Sequence, residues 1–239
     1  MAFAISRTMN SLADPTAELT NRVACIGGAV EKLVTHGTRA FLEGRVLESA
    51  RSAESRKRIS EAERDCVDFA LTLLAQREPS PGDARAIVAS LEIADAYKRI
   101  ADLWMEIASR PQLAKLLPEL PESERTYAAL LALTANQLQI AGGALRSFDP
   151  GLARTLFERD RAVRMARAEV LFSAVRMLRL TPRTMYTVVD ALACARSMQR
   201  ISAYATSIAD AVVFMKTGRE KWIADQAARP AGRHVGEAA

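Results

Sequence analysis

The sequence predicts an all-α protein built as two tandem three-helix bundles, six long helices related by an internal repeat. Three observations point that way. Apolar residues make up 49% of the 239 positions, but aromatics only 5%, and Ala and Leu dominate, so helix formers far outnumber strand formers. Apolar positions recur alternately three and four residues apart over long stretches, the spacing of a helix that buries one stripe. Finally, sliding the chain by 101 positions lays Pro81 to Ala108 over Pro182 to Ala209 without a gap, with identities at Pro81/Pro182, Leu91/Leu192, Ala94/Ala195, Arg99/Arg200, Ile100/Ile201, Ile107/Ile208 and Ala108/Ala209. One helical unit is used twice, and the length suits two halves of roughly 100 residues each.

The first helix is expected from about Pro15 to Arg45, with a seam at Leu19, Val23, Ile26, Val30, Leu33, Gly37 and Ala40. The second runs from about Leu47 to Arg77; its first half, RSAESRKRISEAERD, is densely charged and reads as solvated, whereas CVDFALTLLAQ reads as buried. The cluster EPSPGD breaks that helix, because two prolines and a glycine do not continue it while Pro81 or Gly82 can open the next. The third helix, to about Arg110, has its seam at Ala86, Ser90, Ile93, Tyr97, Ile100, Trp104 and Ile107. Pro111, Pro118 and Pro121 then mark the boundary between a first repeat at 12–112 and a second at 122–218.

In the second repeat helices are expected from about Glu122 to Ser147, Pro150 to Leu180 and Pro182 to Lys216. Asp149-Pro150 and Thr181-Pro182 are cap-plus-proline starts, and Gly218 is a stop. The last helix has its seam at Thr187, Ala191, Cys194, Met198, Ile201, Ala205, Ile208 and Val212. Residues 219–239 hold too little apolar surface to pack and read as a disordered tail. Gly27-Gly28 and Gly142-Gly143 lie inside helical patterns and are expected to permit close helix packing.

The net charge of +5 is modest and interspersed, except that Arg154 to Arg183 carries eight arginines against Glu158, Asp160 and Glu169. This is a solvated face or a surface for an acidic partner; no groove-reading motif or stacking aromatic series marks a nucleic-acid site. Cys25, Cys66 and Cys194 are widely separated and lie in helical patterns, which predicts three buried thiols in a reducing compartment. The N-terminal MAFAISRTMNSLADP has too short an apolar segment for a secretory signal, so cytoplasm is the default. Thr126 to Leu145 carries no charge, but Asn136, Gln137 and Gln139 favour a helix packed in a bundle over membrane insertion.

The two proline-led copies, REPSPGDARAIVASLEIADAYKRIADLWMEIA and LTPRTMYTVVDALACARSMQRISAYATSIADAVVFMKTG, resemble the signature helices of the PhoU family of phosphate-uptake regulators. In that family a helix break at proline precedes an E-R-I-G-D element and an N-I-A element, once per half. The likeness spans about Leu12 to Gly218. It implies a cytoplasmic adaptor rather than an enzyme, a negative regulator that couples the phosphate ABC transporter, through its ATPase subunit, to a membrane sensor histidine kinase. It also implies a homodimer, with no nucleic acid bound and no direct membrane insertion.

Members of the family hold metal clusters on acidic pairs one helical turn apart. Here the first copy has Lys98 with Asp102, the second has Gln199 with Ala203, and Ser60 and Arg164 stand where neighbouring aspartates are usual. These departures predict that the clusters do not form and that no cofactor is held. The remaining metal candidates are Asp95, Asp102 and Glu106, with Arg99 expected as an ion-pair partner of Asp95. Partner-contact candidates are Arg99, Arg200, Arg164 and Arg167. With only His36 and His234, a di-iron carboxylate bundle lacks its ligands, and no nucleophile motif or glycine-rich phosphate loop is present. A metal-binding bundle, or a helical module for nucleic acid or another acidic client, is the alternative reading.

Overall fold

Caps and prolines set the helix starts. In the computed structural model, which describes residues 14–43, 45, 49–76, 78–110, 113, 121–180 and 185–218, six long helices follow one another: α1 (Pro15–Leu42), α2 (Ser49–Gln76), α3 (Pro81–Ala108), α4 (Pro121–Ser147), α5 (Pro150–Leu180) and α6 (Met185–Thr217). Asp14 opens α1 by accepting hydrogen bonds from the Thr16 amide at 3.1 Å and the Thr16 hydroxyl at 2.8 Å. Ser80 and Asp83 form a reciprocal capping box at the start of α3, with Pro81 in the first turn where no amide donor is needed. Asp149 caps α5 by accepting from the Gly151 and Leu152 amides at 2.7 and 3.2 Å. Just before it, Phe148 takes a left-handed φ of 49°, which reverses the chain between α4 and α5. Gly218 ends α6 at φ +67°, its amide donating to the Phe214 carbonyl at 2.9 Å. The Thr181-Pro182 start and the 219–239 tail lie outside the described residues.

Helices α1, α2 and α3 pack on one another, as do α4, α5 and α6; the bundles join where α3 meets α6 and where α1 meets α4. Repeat-related helices therefore face each other, while α2 and α5 flank the assembly. The core runs along α3 and α6 through Ile93, Tyr97, Ile100, Trp104 and Ile107, then Met198, Ile201, Ala205, Ile208 and Val212, all essentially without solvent exposure. Each large side chain among them contributes about 1.5–3 kcal/mol by leaving water. Close packing is decided by two glycines of α1: a Cβ on Gly27 would meet the Tyr97 ring at 2.6 Å, and one on Gly37 would overlap Trp104. Tyr97, held in this apolar seat, has its phenol pushed well above the ordinary range by burial, then by the charge of Glu31.

Four expectations need correcting. The α1 seam drifts by one position after Val30, so Val34 and Phe41 are buried while Leu33 and Ala40 are only half covered. A straight helix turns every 3.6 residues, and a strict seven-residue pattern slips around it. Helix α2 is not solvated at one end and buried at the other: it buries Ser52, Ile59, Glu63, Cys66 and Ala70 along its whole length and leaves Leu71 and Leu74 exposed, because its packing is chiefly on α1 and α3. Cys25 is exposed, whereas Cys66 and Cys194 are buried. Gly28 has no neighbour where a side chain would go, and Gly142 makes room for the Glu31 carboxylate rather than for a backbone.

Helix α4 contains Glu124–Ser147, long and apolar enough by length and composition to cross a membrane. It is instead built into the second bundle through Tyr127, Leu130, Leu131, Leu138, Ala141 and Leu145. Two of its amide oxygens are used there: Gln137 accepts from the Ser202 hydroxyl, and Asn136 accepts from Arg159 at 2.7 Å.

Candidate functional site

The outward stripe of α3 carries the chemistry singled out by the sequence, since Val88, Glu92, Asp95, Arg99, Asp102 and Glu106 follow the helical repeat on its uncovered side. Its carboxylates do not converge. Asp95 accepts from Arg99 at 2.6 Å, and that hydrogen bond, with the added charge of Asp95 and the nearby Tyr204, holds the guanidinium still more firmly protonated. Asp102 is drawn sideways to Arg56 of α2 at 2.5 Å. Glu106 points the other way and accepts from the Ser197 hydroxyl of α6 at 2.9 Å. Between them the Lys98 ammonium reaches Glu63 of α2 at 3.0 Å.

Glu63 was missed by the sequence reading, although it is nearly covered. The signal was available: an acid on the buried stripe of a charged helix, opposite a lysine that replaces an acid. Together Arg56–Asp102 and Lys98–Glu63 make the α2–α3 face a ladder of cross-helix ion pairs. Among the described residues no group of three or more His, Cys, Asp or Glu side chains converges. A hard cation needs several oxygens at short range, and here an ammonium occupies the middle of the acidic row, so this donor set does not fit the family's metal cluster.

The α3–α6 crossing is clasped by Glu106 with Ser197 and by Arg110 with Asp190 at 3.2 Å, and the α1–α4 crossing by Glu31 with Arg146 at 2.9 Å. Arg200, the repeat equivalent of Arg99, lies exposed on α6. In the second bundle Gln199 is half covered, Ala203 is exposed and Arg164 pairs with Asp160 along α5. Arg167 is exposed on the same helix. Beside these arginines lies a stripe that sequence reading overlooked: Met165, Ala168, Phe172 and Val175, spaced three, four and three, with Met165 61% and Phe172 64% exposed. Met185, Tyr186 and Val189 extend the uncovered apolar surface at the same end. The stripe sits on the opposite side of α5 from Val163 and Val170, so α5 is apolar on two faces.

Fold and surface define a class: a duplicated three-helix bundle whose repeated helices present charged and apolar contact faces. The family model described as "PhoU domain" matches twice, at residues 23–110 and 128–212. The chain belongs to the PhoU family. It is 26% identical over 213 residues, covering 89% of this chain and 90% of the other, to a phosphate-specific transport system accessory protein PhoU homolog of Rhizobium meliloti. A homolog of the same description from Caulobacter vibrioides is 26% identical over 215 residues, covering 89% and 93% of the two chains. The crystal structure of PhoU from Pseudomonas aeruginosa superposes with a TM-score of 0.76 at 25% identity, over 86% of this chain and 98% of that one. The phosphate transport system regulatory protein PhoU from Streptococcus pneumoniae, at 14% identity and a TM-score of 0.73 over 85% and 96%, shares the fold.

Proposed function

We propose that this chain is an accessory protein of a phosphate-specific transport system, acting in the cytoplasm as a negative regulator of the phosphate-starvation response through protein contacts rather than catalysis. The observation that carries this reading is the double family match, which spans both bundles and accompanies full-length relatives named as accessory proteins of phosphate transport. The contacts are with the ATPase subunit of the transporter and with a sensor histidine kinase, and the working form is a homodimer. Metal has no part in it, because the candidate carboxylates of α3 are committed elsewhere, Asp102 to Arg56, Asp95 to Arg99 and Glu106 to Ser197. The partner surface takes in Arg164 and Arg167 beside the exposed Met165 and Phe172 of α5, together with the exposed Arg200 of α6, a combination of guanidinium groups and apolar contact common at protein interfaces.

Deleting the gene tests this. Secreted or periplasmic phosphatase expression is expected to be derepressed in phosphate-rich medium, and the tagged protein is expected to retain the transporter ATPase or the sensor kinase in pull-downs. Unchanged repression together with neither partner retained overturns it. Salt-sensitive DNA or RNA binding that weakens on substitution of Arg164 and Arg167 supports the nucleic-acid alternative instead.

A further inference from the structure

Between α1 and α2, on the side away from α3, lies an open trough of about 1170 Å³. Its walls have a regular construction. On α2 the lining residues Ser52, Ser55, Ile59, Ala62 and Cys66 are spaced three, four, three and four; on α1, Ile26, Ala29, Leu33, Gly37 and Ala40 keep similar helical spacing. This is the pattern by which two helices present holes to the knobs of a further helix. Leu33 and Ala40, which the sequence marks as core, are half covered because they face this trough. Most wall residues are small, which lets another backbone approach to the usual 8–10 Å between helix axes. In the second bundle the corresponding helices, α4 and α5, lie more closely along each other than α1 and α2 do.

The rim is basic. Arg22, Lys32, Arg45 and Arg58 border the trough, with His36, and among the described lining residues Asp65 is the one acid. Arg22, Arg45 and Arg58 each pair with a nearby acid, Glu18, Glu43 and Glu54, in exposed contacts of little worth, and Arg22 also lies over the Phe69 ring at 4.1 Å. Each guanidinium has donors left for a second carboxylate.

We infer that the α1–α2 trough receives one amphipathic helix with acidic flanks from a partner protein, making a four-helix arrangement of the first bundle. The inference rests on the adaptor reading only in taking the occupant to be a protein. Charge decides against occupants from this chain. The exposed apolar helix of a second copy, α5, is flanked by arginines. Residues 219–239 hold four Lys or Arg against three acids, and residues 1–13 one arginine and no acid. The lined length of α2, from Ser52 to Cys66, is about 21 Å at 1.5 Å per residue, so roughly four turns are accommodated.

The probe is a fluorescent 18-residue synthetic peptide with Leu and Ala on a three-four seam and glutamates flanking it, titrated against the full chain by anisotropy and circular dichroism. The expected result is binding with gain of helix, no binding by the same peptide with lysines for glutamates, and affinity lowered by about tenfold or more in Lys32→Glu/Arg58→Glu. Ala29→Trp, at an exposed wall position, is expected to block binding with an unchanged thermal melt, and Ala62→Trp does the same from the opposite wall should the first variant unfold. Equal binding of both peptides, or a glutamate peptide indifferent to both tryptophans, overturns the inference. So does a photo-crosslink from position 29 that lands on a second copy or on residues 219–239. The deletion phenotype decides the adaptor reading separately, so the failure of one is not mistaken for the failure of the other.

Discussion

The two bundles have the same number of bases and different numbers of acids: thirteen Lys or Arg each between 15–108 and 121–217, but fifteen Asp or Glu in the first and eight in the second. One half is therefore slightly acidic and the other distinctly basic, on a shared backbone plan. The buried stripes of α3 and α6 stay largely apolar in both copies, and the fully buried hydroxyls on them are partnered, Ser90 with Thr20 and Ser202 with Gln137, because a polar group without a partner there is expensive. Surface carboxylates are under no such constraint. Volume also moves between copies: the first bundle seats Trp104 over Gly37, whereas the repeat position of Trp104 is Ala205.

Trp104→Ala is the strongest way to break this comparison. Removing an indole that is fully buried is expected to cost about 3–5 kcal/mol, against well under that for Ala205→Gly, by urea titration. Next, Gly37→Ala pushes a methyl into Trp104 and is expected to cost about 1–3 kcal/mol, while Gly28→Ala, facing open space inside the same helix, is neutral or stabilising by about 0.5–1 kcal/mol. Equal effects at the two glycines would contradict the close approach of α1 to α3.

Lys98→Glu sharpens the contrast in charge. It removes the partner of Glu63 and places a new carboxylate one turn from Asp102, so the melt should drop by an amount equivalent to about 1–2 kcal/mol and recover in millimolar Mn²⁺. The same change at Gln199, with Ala203 one turn on, should give no metal-dependent recovery. The smallest effect concerns thiols. Burial pushes Cys194 up to about 12 and raises Cys66 as well, so both should resist alkylation at pH 8 while exposed Cys25 reacts. Because the folded state of Cys194 keeps its proton where the unfolded chain loses it, its contribution is constant below about pH 9 and stability falls from there towards pH 12, by about 1.4 kcal/mol per unit at most. Cys194→Ala should flatten that slope.

Helix identity and order were legible in the sequence because prolines, caps and the three-four spacing are local signals. The 101-residue shift made the tandem plan legible too, since it repeats the α3 seam in α6. What was not legible depends on which helices have how many neighbours. Leu71 and Leu74 look buried by composition, but α2 packs chiefly on α1 and α3 and leaves them outside. Cys25 follows the seam residue Val23 closely yet faces away from it. At the α3 stripe and its α6 repeat, the loss of acids could be read directly from Lys98, Gln199 and Ala203. That Glu63 and Arg56 complete the ladder depends on the register of α2 against α3, which no single helix specifies.

The like-on-like meeting of α3 with α6 and α1 with α4 means that this single chain already contains the symmetry of a pair. In a homodimer of separate bundles every substitution would appear twice, on both sides at once. Here the covalent join at residues 111–120 lets each side change alone, and the clasps from Glu106 to Ser197 and from Glu31 to Arg146 hold the two diverged sides at a fixed spacing. The single chain thus carries a slightly acidic half and a distinctly basic half, a built-in direction that a symmetric pair would lack.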